Sequence, residues 1–287
     1  MSTPTNVARR TANEAGNQAR IAANNKWMLL LARLGYAVKG IVYLIIGWLA
    51  VELAVGHGGK TTDQSGALQT ISSLSYGKFL LILMLVGLIG FALWCFIQAI
   101  FDTEAKGKDA KGIIARIGYA AIGVSYIGLA LGAFGLINGQ GNAGKNTTTS
   151  AQDWTGLVLR QPFGQAMVVI GGLIVLAVAG YLFYKAYKAP FKSRLNLTSL
   201  GAQARKLVIE MGRFGYGAIG VVMTIVGIFL IVAALQDNAA KVKGLDSALQ
   251  ELSHQSFGPF LLIIVALGLI AYGLYSFVEA RYRRIGR

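Results

Sequence analysis

The chain has 287 residues, of which 55% are hydrophobic and only 14% charged, and its mean hydropathy of +0.56 is too apolar for a soluble domain of this length. The net charge is +15, yet the basic residues gather at the ends of apolar stretches and build no folded basic domain, so membrane topology explains them and nucleic-acid binding does not. Cys95 stands alone inside an apolar stretch, which excludes an intrachain disulfide and a thiolate metal cluster.

In chain order, a polar, basic tail over residues 1–31 comes first. It holds no apolar h-region, so the reading expects no cleavable signal peptide and makes the first span the insertion signal. Six apolar segments follow: Leu34–Val55, Phe79–Phe101, Ile113–Ile137, Phe163–Tyr184, Phe214–Leu235 and Pro259–Phe277. Each is long enough, at about 1.5 Å per residue, to cross roughly 30 Å of hydrocarbon. The stretch Phe79–Ile97 runs 19 residues without a formal charge. Trp27, Trp154, Tyr184 and Tyr282 fall near the expected interfaces, where amphipathic rings prefer to lie.

Lys and Arg set the orientation. Twenty lie in the N-terminal tail, the second and fourth connections and the C-terminal tail, and six lie in the opposite connections. That bias places both termini in the cytoplasm.

One phrase opens the odd-numbered spans: Ala32-Arg33-Leu34-Gly35-Tyr36-x-x-x-Gly40, Ala115-Arg116-Ile117-Gly118-Tyr119-x-x-x-Gly123 and Gly212-Arg213-Phe214-Gly215-Tyr216-x-x-x-Gly220. The even-numbered spans repeat as well. Gly87-x-x-x-Phe91-x-x-Trp94 matches Ala177-x-x-x-Tyr181-x-x-Tyr184 and Gly268-x-x-x-Tyr272-x-x-Tyr275. The chain is therefore read as three tandem units over residues 32–104, 113–192 and 212–283. Each unit has two spans, so all three run the same way, as parallel repeats about an axis along the membrane normal. The expected fold is an all-α membrane protein whose six transmembrane helices form three parallel two-helix repeats in a pseudo-threefold arrangement. Between the spans of the outer units, Gly66–Leu74 and Ser247–Leu252 carry leucines at near-helical spacing and read as short amphipathic helices on the outer face.

This triplicated unit, with its Arg–apolar–Gly–Tyr opening, resembles the bacterial membrane repeat family known as domain of unknown function 1206. The resemblance covers Ala32 to Arg283. It implies the fold and the topology and brings no established activity with it.

Several residues invite a functional reading. Arg33, Arg116 and Arg213 stand one residue before their apolar runs, as snorkelling anchors; should they converge, they would hold an anion or anionic lipid headgroups on the cytoplasmic side. Gly35, Gly40, Gly118, Gly123, Gly215 and Gly220 read as helix-packing positions, joined by the small-residue motif Gly128-x-x-x-Gly132. Lys39 lies inside the first span, about 9 Å along the axis from Arg33 and within snorkelling reach of the interface; its counterparts are Ile122 and Ile219. Glu52 lies in the outer third of the same helix and is a candidate ion or proton site. The two are about 20 Å apart along the helix and cannot pair within it. Gln98 is the nearby polar residue of the second span, and His57 and His254 read as solvated loop residues.

No phosphate-cradling glycine loop, His-Glu-x-x-His helix or Gly-x-Ser-x-Gly elbow occurs in the sequence. The reading expects no catalytic residue, cofactor or metal, and partners that are membrane lipids or other membrane proteins. The expected role is a non-catalytic structural or accessory subunit of the bacterial cytoplasmic membrane. The alternative is a small-solute or ion pathway along the pseudo-threefold axis.

Overall fold

The computed structural model describes residues 26–101, 109–140, 146–198 and 200–283. The tail over residues 1–25, the mixed-charge loop around Glu104, Lys106 and Lys108, and Lys145 lie outside the described residues.

Six helices are long and apolar enough to span a membrane: α1 (Lys26–Ala54), α3 (Gly77–Phe101), α4 (Ala110–Ile137), α6 (Gly164–Lys188), α7 (Ala202–Leu235) and α9 (Gly258–Tyr282). Three shorter helices join their ends on one side: α2 (Gln64–Ser72), α5 (Thr147–Leu159) and α8 (Leu245–Ser253). That side is the loop end; the opposite side is the terminal end. Several helices outrun the apolar segments that mark them. α6 continues to Lys188 and α9 to Tyr282, which brings Lys185 and Glu279 into the spans. α7 begins twelve residues before Phe214. Hydropathy stops at the first charge, but a helix stops only where its backbone does, and a charge that finds a partner need not end it.

Helix starts are locally encoded. Asp63 accepts the Gly66 N–H at 2.9 Å at the head of α2, Asp109 accepts the Gly112 N–H at 3.1 Å at the head of α4, and Asn146 accepts the Thr149 N–H at 2.8 Å at the head of α5. Each side-chain oxygen satisfies a donor that the first turn leaves unpaired.

The spanning helices neighbour one another in the order α6, α7, α9, α1, α3, α4. The first and last helices of the chain, α1 and α9, therefore lie side by side at the centre. Two units pack within themselves, α1 on α3 and α7 on α9. The middle unit does not, because α4 and α6 share no packed interface. The triplication predicts a pseudo-threefold arrangement; these contacts do not confirm it, since the helix order is open between α4 and α6 of the middle unit.

The repeated glycines show how the seams form. A Cβ at Gly35 would fall 2.3 Å from the Phe91 Cβ, and one at Gly215 would fall 2.7 Å from the Tyr272 Cβ. The first glycine thus lets the two helices of a unit meet backbone to backbone. The second serves the neighbouring unit: Gly40 lies against Gly273 and Phe277, Gly123 against Phe96 and Gly220 against Phe183. Gly118 departs from the expected packing role, with nothing within 4 Å of its Cβ position. Gly128, of the small-residue motif, likewise faces open space. For Gly118, the counterpart of Gly35 and Gly215, this follows from the missing α4–α6 interface.

At the loop end the amphipathic helices fold onto the bundle. Ala67, Leu68 and Ile71 of α2 and Leu245, Ala248, Leu249 and Leu252 of α8 are buried. The connections also interlock. Thr147 donates its N–H and its hydroxyl to Asp63, and Thr148 donates to Asp246 at 2.5 Å while accepting the Gly244 N–H at 2.8 Å. Polar contacts of the middle unit thus tie the first unit to the third.

Candidate functional site

The densest chemistry in the bundle lies near the terminal end, where α1, α9, α7 and α6 meet. On α1, Tyr36, Lys39 and Tyr43 fall at i, i+3 and i+7 and share a face. On α9 the same spacing aligns Tyr272, Tyr275, Ser276 and Glu279, and Arg283 follows as the extended residue that ends the helix. Packing α1 on α9 puts these faces together. The Lys39 Nζ stands 3.6 Å from Glu279 Oε2, and Arg283 donates to Glu279 Oε1 at 2.7 Å. The carboxylate is 3% exposed. Removal of such a charge from water costs several kcal/mol and is tolerated only with good partners; here two cations bracket it.

Aromatic rings insulate these charges. Lys39 Nζ lies 4.3 Å from the Tyr272 ring centre, and the Arg283 guanidinium lies 4.9 Å from that of Tyr36. Tyr272 meets Tyr43 edge-on at 5.0 Å and Tyr216 at 5.4 Å. Beyond Tyr216 lies a further cation, Lys185 of α6, its Nζ 4.2 Å from the ring centre. Ring faces carry negative quadrupole density, so each cation–ring contact contributes about 0.5–2 kcal/mol, most where water is excluded. A short 3-10 turn, Pro190–Arg194, seals the site at the terminal end. Its Phe191 is buried against Tyr216 and Tyr275, and the Asn196 N–H donates to the Tyr282 carbonyl at 2.8 Å just beyond it.

Other expected site residues lie elsewhere. Arg116 donates Nε to the Ala99 carbonyl at 2.6 Å and Nη2 to the Ile100 carbonyl at 2.8 Å, capping the C-terminal end of α3. Arg213 reaches the Tyr187 carbonyl at 3.4 Å, near the end of α6, and pairs with Glu210 at 2.9 Å. The Nε of Arg33 is buried without a hydrogen-bond partner. Arg116 and Arg213 each serve the seam between their own unit and the preceding one, so the structure places them at separate interfaces. Glu52 accepts a hydrogen bond from the exposed Trp48 at 2.9 Å, near the loop end and at the periphery. His57 and His254 are exposed.

Sequence reasoning finds Lys39 and misses Glu279, its partner. A signal for it exists. Aligning Tyr272 on Phe91 and Tyr275 on Trp94 sets Glu279 on Gln98, the polar residue already noted in the second span, and Gln98 is also buried. At the α3–α4 seam the corresponding pair is Gln98 and Ile122; at the α9–α1 seam it is Glu279 and Lys39. The ionic version thus occurs at the seam that the chain itself does not connect.

The sequence profile of a family described as Domain of Unknown Function (DUF1206) matches residues 34–102, 117–189 and 214–283, three tandem copies that cover most of the chain. The chain belongs to the DUF1206 family. Within it, the uncharacterized protein YxxB of Bacillus subtilis (strain 168) is 36% identical over 259 residues, 90% of this chain and 92% of that one. No solved structure matches. The three DUF1206 copies coincide with the three helix–connection–helix units, so the intramembrane charge cluster lies where the first copy meets the third.

Proposed function

We propose that this DUF1206 protein is a non-catalytic structural or accessory component of the bacterial cytoplasmic membrane, with both termini inside. The open middle unit carries the reading. Helices α4 and α6 decline the intra-unit contact that the other units make, and they present long exposed apolar faces at Ile117, Val124 and Leu131 and at Ile170, Ile174 and Tyr181. These are the faces on which lipid or a partner helix would pack. The strongest charges support the same reading, because Glu279 engages both Lys39 and Arg283 and clasps the first and last spans together. The excess of Lys and Arg on the terminal side supports the orientation.

Site-specific photo-crosslinking in native membranes tests the reading. A photoreactive residue at Val124 or Tyr181 is expected to capture a discrete protein species, whereas one at Lys78, on the exposed head of α3, is not. Capture of lipid alone at every position would overturn the accessory role.

A second reading, a small-solute or ion pathway, is favoured by the burial of a carboxylate within a span. In that reading Glu279 takes the place first given to Glu52, since intramembrane acids commonly mark ion or proton routes. Ion flux into proteoliposomes that is abolished by Glu279→Gln in a folded protein would favour it over the accessory role.

A further inference from the structure

The seam between α3 and α4 carries a groove that the charge cluster does not use and that borders the exposed face of α4 at Ile117 and Leu131. We propose that it binds one anionic phospholipid, with an acyl chain along the groove and the phosphate at Arg116.

The groove has two sections that meet at Phe96. The section toward the loop end, about 560 Å³, is walled by Leu85, Ile89, Leu93, Ile127 and Phe134 and is almost wholly apolar. The section toward the terminal end, about 480 Å³, runs past Ala99, Ile113 and Ala120 to Arg116. Small residues hollow it: Ala92 and Ala130 in the first section, Ala99 and Ala120 in the second. Phe96 lines both sections where they join, and Gly123 makes room for it, since a Cβ there would fall 3.1 Å from the ring. From Leu85 to Ile100 the groove follows sixteen residues of α3, a rise of about 22 Å. That exceeds half of the roughly 30 Å hydrocarbon thickness, enough for an acyl chain of one leaflet.

Charge complementarity selects the lipid. Two of the Arg116 donors are fixed on the α3 carbonyls, which holds the guanidinium at the groove mouth with its Nη1 outside those bonds. Among the described residues no carboxylate pairs with Arg116, whereas Glu210 meets the charge of Arg213. A positive group at the end of a spanning helix lies at headgroup depth, and a planar guanidinium suits a phosphate. A zwitterionic headgroup would fill the same groove with weaker net attraction.

Native mass spectrometry of the purified full chain with added phosphatidylglycerol or phosphatidylethanolamine tests the site. One phosphatidylglycerol is expected to be retained over phosphatidylethanolamine by about fivefold, the weight of one basic residue at an anionic surface. Arg116→Gln should remove that preference, Arg213→Gln should keep it, and Ala120→Phe, which leaves Arg116 in place, should lower retention of both lipids. Equal retention of the two lipids by the unmodified chain, retention unchanged in Arg116→Gln or in Ala120→Phe, or an equal loss in Arg213→Gln would each overturn the site. These outcomes are independent of crosslinking at Val124 and Tyr181, neither of which lines the groove, so either reading can fail alone.

Discussion

Lys39 and Glu279 lie 240 residues apart in the sequence and 3.6 Å apart in the bundle. Their contact joins the first spanning helix to the last. The other two seams between units, α3 with α4 and α6 with α7, are each between spans that follow one another in the chain and so are tethered by it. The α1–α9 seam has no such tether, and a buried ion pair supplies both attraction and register in its place.

Removing the carboxylate should therefore be costly. Glu279→Gln leaves the half-buried Lys39 and Arg283 without their counter-charge and is expected to lower stability by about 3 kcal/mol, the lower end of the penalty for breaking a buried pair from one side. The double variant Lys39→Met/Glu279→Gln should lose less than the sum of the single changes, because the variants share one interaction. Thermal unfolding in detergent, followed by circular dichroism, measures both. Additive losses would mean that the two groups do not act as a pair.

The glycines of the opening motif should respond unequally to one added methyl group. Gly35→Ala places a Cβ 2.3 Å from Phe91 and is expected to destabilise by about 1–3 kcal/mol through overpacking. Gly118→Ala meets open space and should stay within about 0.5 kcal/mol of the parent. Equal sensitivity at both positions, read by the same unfolding assay, would imply that the middle unit packs internally after all.

Asp63 should matter beyond its own helix. It caps α2 through Gly66 and also accepts both donors of Thr147 from the middle unit. Asp63→Ala is expected to cost about 1–2 kcal/mol as a lost cap alone. Hydrogen exchange separates the two roles: faster exchange at the start of α5 as well as in α2 marks the interlock, whereas faster exchange in α2 alone would leave only the cap.

Much of the architecture is legible from local signals. Leu81 and Leu262 fall in uniformly apolar windows, which only a spanning helix explains, and the leucines of α8 announce its buried face through their spacing. The glycine repeats mark close approach but not the partner, because a missing Cβ is silent about what fills its place. Lys39 is visible as an anomaly, yet the acid that answers it stands beyond the last apolar residue of its segment and looks like part of a solvated tail. Phe191 carries no signal at all, since the turn that buries it closes over helices from other parts of the chain.

The sequence alone determined six spans, three copies of one unit and a strong charge bias, because hydropathy, repetition and Lys/Arg placement are properties of short segments that need no neighbour. Only the tertiary structure decided which helices meet, that α4 and α6 stand apart, and that Lys39 is paired. Those outcomes depend on the register between segments hundreds of residues apart, where side-chain fit at each seam selects among arrangements that the hydrophobic pattern leaves equal.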